Sequence, residues 1–194
     1  MSKSDPASHK KERNKTIRWV ITIFFVTMLI SGAISFVSDE IMEESHIVIA
    51  FLILLTIVLL GIMFDVVGVA VTSADEKPFH SMAARKVPGG QEAIRLLRNA
   101  ERVSSICNDV VGDICGVVSG SASATIAAQV LNNFDFSAPQ VVTLLMSALV
   151  AGLTVAGKAI GKTVAINSCT NIVATVGKLI YTLRSIPLLF RKKK

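Results

Sequence analysis

Three ionisable residues lie inside long apolar stretches of the chain, where a charge is costly. They are Asp65 in the second stretch, Asp113 in the third and Lys158 in the fourth. A charged residue within a membrane-spanning helix is usually paired or faces water, and it often marks an ion pathway. The alternative is that each side chain extends along its helix to the nearest headgroups. These residues are therefore the first candidates for a functional site.

The elements that carry these residues are apolar runs, each long enough to cross a bilayer. The chain has 194 residues, of which 52% are hydrophobic and 18% are charged. About 20 helical residues cross a hydrocarbon core of about 30 Å. We predict an all-α integral membrane protein with four transmembrane helices, at residues 19–37, 47–73, 103–131 and 141–166. The lipid bilayer is then its first partner, and no folded basic domain is left to bind nucleic acid.

Basic residues are sorted to one side of these helices. They cluster before the first run, between the second and third runs and after the fourth, whereas the turns at 38–46 and 132–140 contain none. Because Lys and Arg in short flanks stay in the cytoplasm, we predict that both termini are inside. The net charge of +6 then belongs to an inner surface attracted to anionic lipid. We expect a multi-pass protein of the cell membrane whose first helix is not cleaved as a signal.

The depths of the three charges agree. Counted from the outer end of each run at 1.5 Å per residue, Asp65 and Asp113 each lie about 27 Å deep and Lys158 lies about 26 Å deep. Two carboxylates around one ammonium lower the cost of burying any of them. The sequence therefore favours a mutual cluster of charges in the inner part of the membrane over separate side chains that reach the headgroups.

Polar and amphipathic segments complete the predicted organisation. Residues 1–15 form a polar cytoplasmic tail that we expect to be disordered, and residues 191–194 form a basic C-terminal tail. Two segments have apolar residues on one helical side and basic residues on the other: the segment after the Pro-Gly-Gly break at 88–90, and residues 172–184. We predict two juxtamembrane amphipathic helices that lie on the inner interface with their apolar sides toward lipid.

Small residues recur at every fourth position of the third run. They are Gly112, Gly116, Gly120, Ala124 and Ala128. A stripe of this kind lets another helix backbone approach closely. The fourth run contains further small residues at similar spacing, namely Gly152, Ala156, Gly157, Gly161 and Ala165. The spacing predicts close helix packing and leaves open whether that packing is within one chain or between two.

Three local stretches resemble the transmembrane domain of the cyclin M (CNNM) and CorB/CorC family of magnesium transporters. Residues 63–73, MFDVVGVAVTS, resemble the family pattern F-F-S-x-S-E-x-A-x-x-S. Residues 106–113, ICNDVVGD, resemble I-G-N-N-x-x-N, and residues 157–165, GKAIGKTVA, resemble G-E-x-x-P-K-x-x-A. The order and spacing of these stretches imply a CNNM/CorC-like transmembrane domain over residues 47–190, preceded by an extra first helix at 16–37.

The resemblance implies a homodimer whose inward-facing acidic cavity binds Mg²⁺ through side-chain oxygens. Oxygen donors are the ligands that hard divalent cations prefer. We expect no resident cofactor other than Mg²⁺ as a bound or transported ion. The candidate metal ligands are Asp65, Ser73, Asn108, Asp109 and Asp113.

The chain departs from the family pattern at three positions that matter for an ion. Gly68 and Lys158 stand where the family has glutamates, and Gly112 stands where it has an asparagine. An ammonium group has only hydrogen-bond donors, and its charge repels a divalent ion. Our hypothesis is that Lys158 replaces the metal as an internal counter-ion to Asp65 and Asp113. We also expect no regulation by nucleotide, since no nucleotide-sensing domain of the family is recognisable in the sequence.

Two functions remain open from the sequence. The first is transport or sensing of a divalent cation, Mg²⁺ by resemblance, through an inward-facing polar cavity. The second is a non-transporting scaffold or partner-binding subunit, in which Lys158 occupies the former ion site and the glycine stripe binds another membrane protein. An enzyme is not expected. The sequence shows no nucleophile–base pair, and the Gly-Lys-Thr at residues 161–163 lacks the spacing of a phosphate-binding loop.

Overall fold

The computed structural model describes residues 6–43, 45–133 and 138–191, and within these ranges the chain is almost entirely helical. One segment is a π-helix, in which each turn holds more residues than an α-helical turn. The elements are α1 (Pro6–Glu43), α2 (Ile47–Ser73), α3 (Lys77–Ala84), α4 (Gly90–Arg98), α5 (Ala100–Ser105), the π-helix (Ile106–Gly112), α6 (Asp113–Asn133), α7 (Pro139–Asn167) and α8 (Cys169–Arg191).

Four segments are long and apolar enough to cross a membrane, namely Ile17–Met42, Ile47–Ser73, Ala100–Asn133 and Pro139–Asn167. The predicted all-α class and the four predicted spans are therefore confirmed. The second span has the predicted ends, and the other three extend beyond theirs. The third span is continuous through α5, the π-helix and α6.

Helix α2 lies at the centre of the bundle and contacts both α6 and α7, while α1 packs mainly against α6. A first cluster of buried residues joins these helices: Met42, Ala50, Leu54, Val58, Ala122, Ile126 and Val150. It lies toward the end of the bundle where α1 meets α2. We call this end the acidic end, because residues 39–43 include three acidic residues.

A second buried cluster lies at the opposite end of the bundle. It contains Ala70, Val71, Phe79, Ala93, Leu97, Ala165 and Val173. Helices α3, α4 and α8 thus pack around the last turns of α2 and α7. We call this end the basic end, because α3, α4, α5 and α8 carry most of the exposed Lys and Arg described by the structure.

The two predicted amphipathic helices differ from expectation. The apolar residues Ala93 and Leu97 of α4 and Val173 of α8 are buried against protein. The sequence analysis did not predict α3, whose Phe79 is fully buried in the same cluster. The apolar side of α4 is therefore covered by other helices, whereas the far half of α8 still exposes Leu179 and Leu183.

Helix α1 is longer than predicted at both ends. It begins at Pro6, so the disorder expected for residues 1–15 is wrong from Pro6 onward, and residues 1–5 lie outside the described ranges. It also continues to Glu43, which removes most of the turn predicted at 38–46. Contacts of Ser38, Asp39 and Met42 with the bundle explain this continuation, because Ser38 and Met42 are buried and Asp39 is hydrogen-bonded to α6.

Candidate functional site

Two glycines of α2 set its position against the third span. A Cβ atom on Gly61 would lie 2.9 Å from the Cβ of Cys115, and a Cβ on Gly68 would overlap the Asn108 amide. The two contacts are seven residues apart on each helix, and the helices run in opposite directions. Asp65 lies four residues after Gly61 and three before Gly68, on the same helical face. Asp65 is therefore level with Val111 of the π-helix.

Helix α7 runs parallel to α2, and two of its glycines set the register. A Cβ on Gly157 would overlap Ile62, and a Cβ on Gly161 would lie 2.7 Å from Cγ2 of Val66. Because Gly157 contacts Ile62 and the two helices are parallel, residue 158 lies at the level of residue 63 of α2. Because Gly61 contacts Cys115 and those helices are antiparallel, residue 113 also lies at the level of residue 63. Asp65 lies two residues further along, about 3 Å away. The structure therefore brings Asp65, Asp113 and Lys158 to one level of the bundle.

The Lys158 ammonium approaches the backbone of the π-helix at Gly112. Its Nζ lies 3.6 Å from the point where a Cβ of Gly112 would be, and the carbonyl oxygen of Cys107 lies 3.5 Å from that same point. Gly112 is buried and Lys158 is half-buried. A side chain at position 112 would therefore occupy the space beside the ammonium, and glycine leaves that space open.

The three charges are not in direct contact. Among the described residues, ion pairs within 4.0 Å join only His80 to Glu76 and Arg95 to Glu92. Asp65 is half-buried, and Asp113 is exposed. The predicted pairing of Lys158 with both carboxylates is therefore not present in this structure. The three residues lie at one level of the bundle, but the Asp113 side chain is on the exposed side of its helix.

Of the five candidate ligands, Asp65 and Asn108 lie at the contact between α2 and the π-helix. The Nδ2 of Asn108 donates a hydrogen bond to Ser104 at 3.3 Å, while its Oδ1 is buried and has no hydrogen-bond partner. This orphaned oxygen faces Gly68. A buried acceptor without a donor is costly, so Asn108 Oδ1 is the clearest unsatisfied group near Asp65.

The other candidate ligands do not join this pair. Asp109 is exposed and accepts a 2.8 Å hydrogen bond from Ser105, and Ser73 is exposed at the last position of α2. In the part of the chain that the structure describes, no group of three or more His, Cys, Asp or Glu residues is arranged to hold a metal ion. The geometry therefore offers two oxygen donors, from Asp65 and Asn108, with an ammonium nearby.

A polar contact near the acidic end was missed by the sequence analysis. Asp39 of α1 accepts hydrogen bonds from Ser121 at 2.6 Å and from Thr125 at 3.3 Å, both on α6. One turn further, Gln129 donates to the carbonyl oxygens of Met42 and Ser45. The sequence pattern that could have predicted this contact is the four-residue spacing of Ser121, Thr125 and Gln129, which puts all three on one face of α6.

Most of the small-residue stripe on α6 faces away from the rest of the chain. Gly116, Gly120, Ala124 and Ala128 are exposed, and a Cβ on Gly116 or Gly120 would meet nothing within 4 Å. A groove beside the stripe is lined by Ala124, Thr125, Ala128, Gln129 and Asn132. Apart from Gly112, the small residues of the stripe therefore do not pack against another helix of the described chain. Gly157 and Gly161 of α7 differ, because both pack against α2.

Comparison of the chain with protein-family models, with curated proteins and with solved structures found no match.

Proposed function

We propose that this chain is a non-transporting membrane protein that binds another membrane helix, and that Lys158 takes the place of a bound cation. The observation that carries this proposal is the Lys158 ammonium, which lies against Gly112 at the level of Asp65. A fixed positive charge a few ångströms from a divalent ion repels it strongly when both are shielded from water.

The binding role rests on the open stripe of α6. Helices associate in bilayers through small residues that let backbones approach closely. Gly116 and Gly120 offer such a surface with open space above it. Beside it, Oε1 of Gln129 is buried and lacks a hydrogen-bond partner. A second copy of this chain is the partner that we propose, and the basic flanks of the spans would then face the cytoplasm in both copies.

A second candidate function is transport or sensing of a cation such as Mg²⁺. One observation favours it: the orphaned Oδ1 of Asn108 lies close to the face that carries Asp65. A cation that displaced the Lys158 ammonium would receive both oxygens. The two functions differ in whether the native chain binds Mg²⁺ at all.

Thermal unfolding of the full chain in detergent, with and without Mg²⁺, tests the proposal. We expect no Mg²⁺-dependent change in Tm for the native chain. Lys158→Glu removes the ammonium and adds a carboxylate, so Mg²⁺ should raise its Tm. A ligand at about 100 times its Kd stabilises a protein by about 2.7 kcal/mol.

Lys162→Glu is the matched control, because it makes the same charge change one turn away at an exposed position. Mg²⁺ should leave its Tm unchanged. If Mg²⁺ instead stabilised the native chain and Asp65→Asn abolished that effect, the second candidate function would replace the first.

A further inference from the structure

The contact between α1 and α6 at the acidic end contains a carboxylate that forms no ion pair within the described chain. Asp39 is half-buried and lies three residues before Met42, where the first span ends. Among the described residues, no Lys, Arg or His lies within 4.0 Å of the Asp39 carboxylate. The sequence also has no Lys or Arg in residues 38–46 or 132–140. A charge within a span usually has a partner, so the charge of Asp39 calls for a cation.

The groups around Asp39 are mostly hydrogen-bond acceptors. The Ser121 hydroxyl donates its one proton to Oδ2 of Asp39 at 2.6 Å. The Thr125 hydroxyl also has one proton, and its oxygen lies 3.3 Å from Oδ1 of Asp39 and 3.4 Å from the carbonyl oxygen of Ser121. Gln129 donates its amide hydrogens to carbonyl oxygens at the end of α1, and its buried Oε1 has no hydrogen-bond partner. The oxygens at this contact therefore outnumber the protons available to them.

The oxygen spacing around Thr125 Oγ1 matches the size of one group of ions. Neighbouring oxygens in an octahedral shell lie about 3.3–3.7 Å apart for the bonds of about 2.3–2.6 Å that Ca²⁺ forms, and about 2.9 Å apart for the shorter bonds of Mg²⁺. Na⁺ has nearly the same radius as Ca²⁺. The distances of 3.3 Å and 3.4 Å lie in the range of these larger ions. Mg²⁺, the ion considered for the site around Lys158, does not match this spacing.

The charge of the site favours a monovalent ion. Asp39 contributes one carboxylate, whereas Ser121 and Thr125 contribute neutral oxygens, and the neighbouring Glu40 is exposed. One carboxylate balances the charge of Na⁺ and leaves half the charge of Ca²⁺ unbalanced. Thr125 also lines the groove beside α6, so a small ion can approach it without separation of α1 from α6.

We propose that Oδ1 of Asp39, Oγ1 of Thr125 and the carbonyl oxygen of Ser121 bind a Na⁺ ion that holds α1 against α6. The Thr125 hydroxyl turns its proton away from the ion and offers its lone pairs. The Ser121 hydroxyl keeps its hydrogen bond to Oδ2 and fixes the orientation of the carboxylate. Water completes the shell on the exposed side of Asp39. Ion binding here does not depend on what occupies the site around Lys158.

Thermal unfolding of the full chain in detergent, in NaCl, KCl or choline chloride at one ionic strength, tests this proposal. Choline is too large for the site and serves as the reference. We expect NaCl at about ten times its Kd to raise Tm by about 3–5 °C. KCl should raise Tm less, because K⁺ needs oxygens that are further apart. Asp39→Asn removes the charge and keeps the shape of the side chain, so it should abolish the rise.

Two substitutions of one residue separate ion binding from folding. Thr125→Val removes the hydroxyl oxygen and keeps the size of the side chain, so it should weaken the response to NaCl. Thr125→Ser keeps the oxygen and should retain the response. Glu40→Gln is the matched control for Asp39→Asn, because it removes the same charge from the next residue, which is exposed. It should keep the native response to NaCl.

An equal Tm of the native chain in NaCl and choline chloride would overturn the proposal. A rise with NaCl that persists in Asp39→Asn would do the same. A rise with KCl equal to that with NaCl would overturn the assignment to Na⁺. Stabilisation by CaCl₂ without stabilisation by NaCl would identify a divalent-ion site and would also overturn that assignment.

Discussion

At the scale of single residues, Lys158 and the glycines around it determine what the centre of the bundle can hold. The ammonium lies beside Gly112, 3.6 Å from the point where a Cβ of residue 112 would be, which is an ordinary van der Waals distance. The contact at Gly68 is tighter, because the Asn108 amide fills the space of a side chain at position 68.

Gly68→Ala tests the contact between α2 and the π-helix. A Cβ at position 68 would overlap the Asn108 amide, and overpacking of this kind costs about 1–3 kcal/mol. We expect a lower Tm of the purified chain in detergent. The double variant Gly68→Ala/Asn108→Ala should recover much of the loss, because the shortened side chain leaves room for the new methyl group.

Gly152→Ala is the matched control for this substitution. Gly152 is also a helical glycine, but a Cβ there would meet nothing within 4 Å. Its Tm should be equal to or higher than that of the native chain, since alanine favours helix more than glycine does. An unchanged Tm for Gly68→Ala would show that Asn108 does not fill this position.

At the scale of elements, the helices were largely predictable from hydropathy, whereas their ends and contacts were not. The run Ile47–Ser73 was predicted with its observed ends, because it is strongly apolar apart from Asp65 and polar residues lie close to both of its ends. The end of α1 was predicted at residue 37, but the helix continues because Asp39 is held by Ser121 and Thr125. That stabilisation comes from another helix, so local sequence does not reveal it.

The π-helix and α3 were also beyond the reach of sequence patterns. The π-helix covers Ile106–Gly112 within a single apolar run, and nothing in that run's periodicity marks it. Segments of this type are frequent at functional sites, and this one carries Asn108 and contacts Lys158 at Gly112. Helix α3 is only eight residues long and is stabilised by burying Phe79 in a cluster drawn from five helices.

The open stripe of α6 leads to a prediction about association. Gly120→Leu fills the surface that we propose for a second copy, so the chain should self-associate more weakly in liposomes. We expect at least about a tenfold increase in the apparent dissociation constant, equivalent to about 1.4 kcal/mol. Energy transfer between copies fused to donor and acceptor fluorescent proteins measures this change.

Gly152→Leu is the control for steric bulk, because Gly152 is exposed on α7 with open space around it. Its self-association should match that of the native chain. Equal weakening in both variants would indicate a general effect of leucine in the bilayer. No weakening in Gly120→Leu would show that the stripe is not the contact surface.

At the scale of the whole molecule, the sequence predicted where the charges lie along the bundle better than how they interact. Counting residues from the span ends put Asp65, Asp113 and Lys158 at one depth, and the glycine contacts of α2 give the same level. The direction in which each charged side chain points around its helix axis could not be found by counting residues. That direction depends on which faces of α6 and α7 pack against α2. In the structure, Asp113 is exposed and forms no ion pair with Lys158.

Uptake of Mg²⁺ into liposomes that contain the full chain tests most directly whether Lys158 has replaced a transported ion. We predict that liposomes with the native chain take up Mg²⁺ no faster than protein-free liposomes, because the ammonium excludes a divalent ion from Asp65 and Asn108. Lys158→Glu should give uptake above that of Lys162→Glu. Uptake by the native chain that Asp65→Asn abolishes would contradict this account.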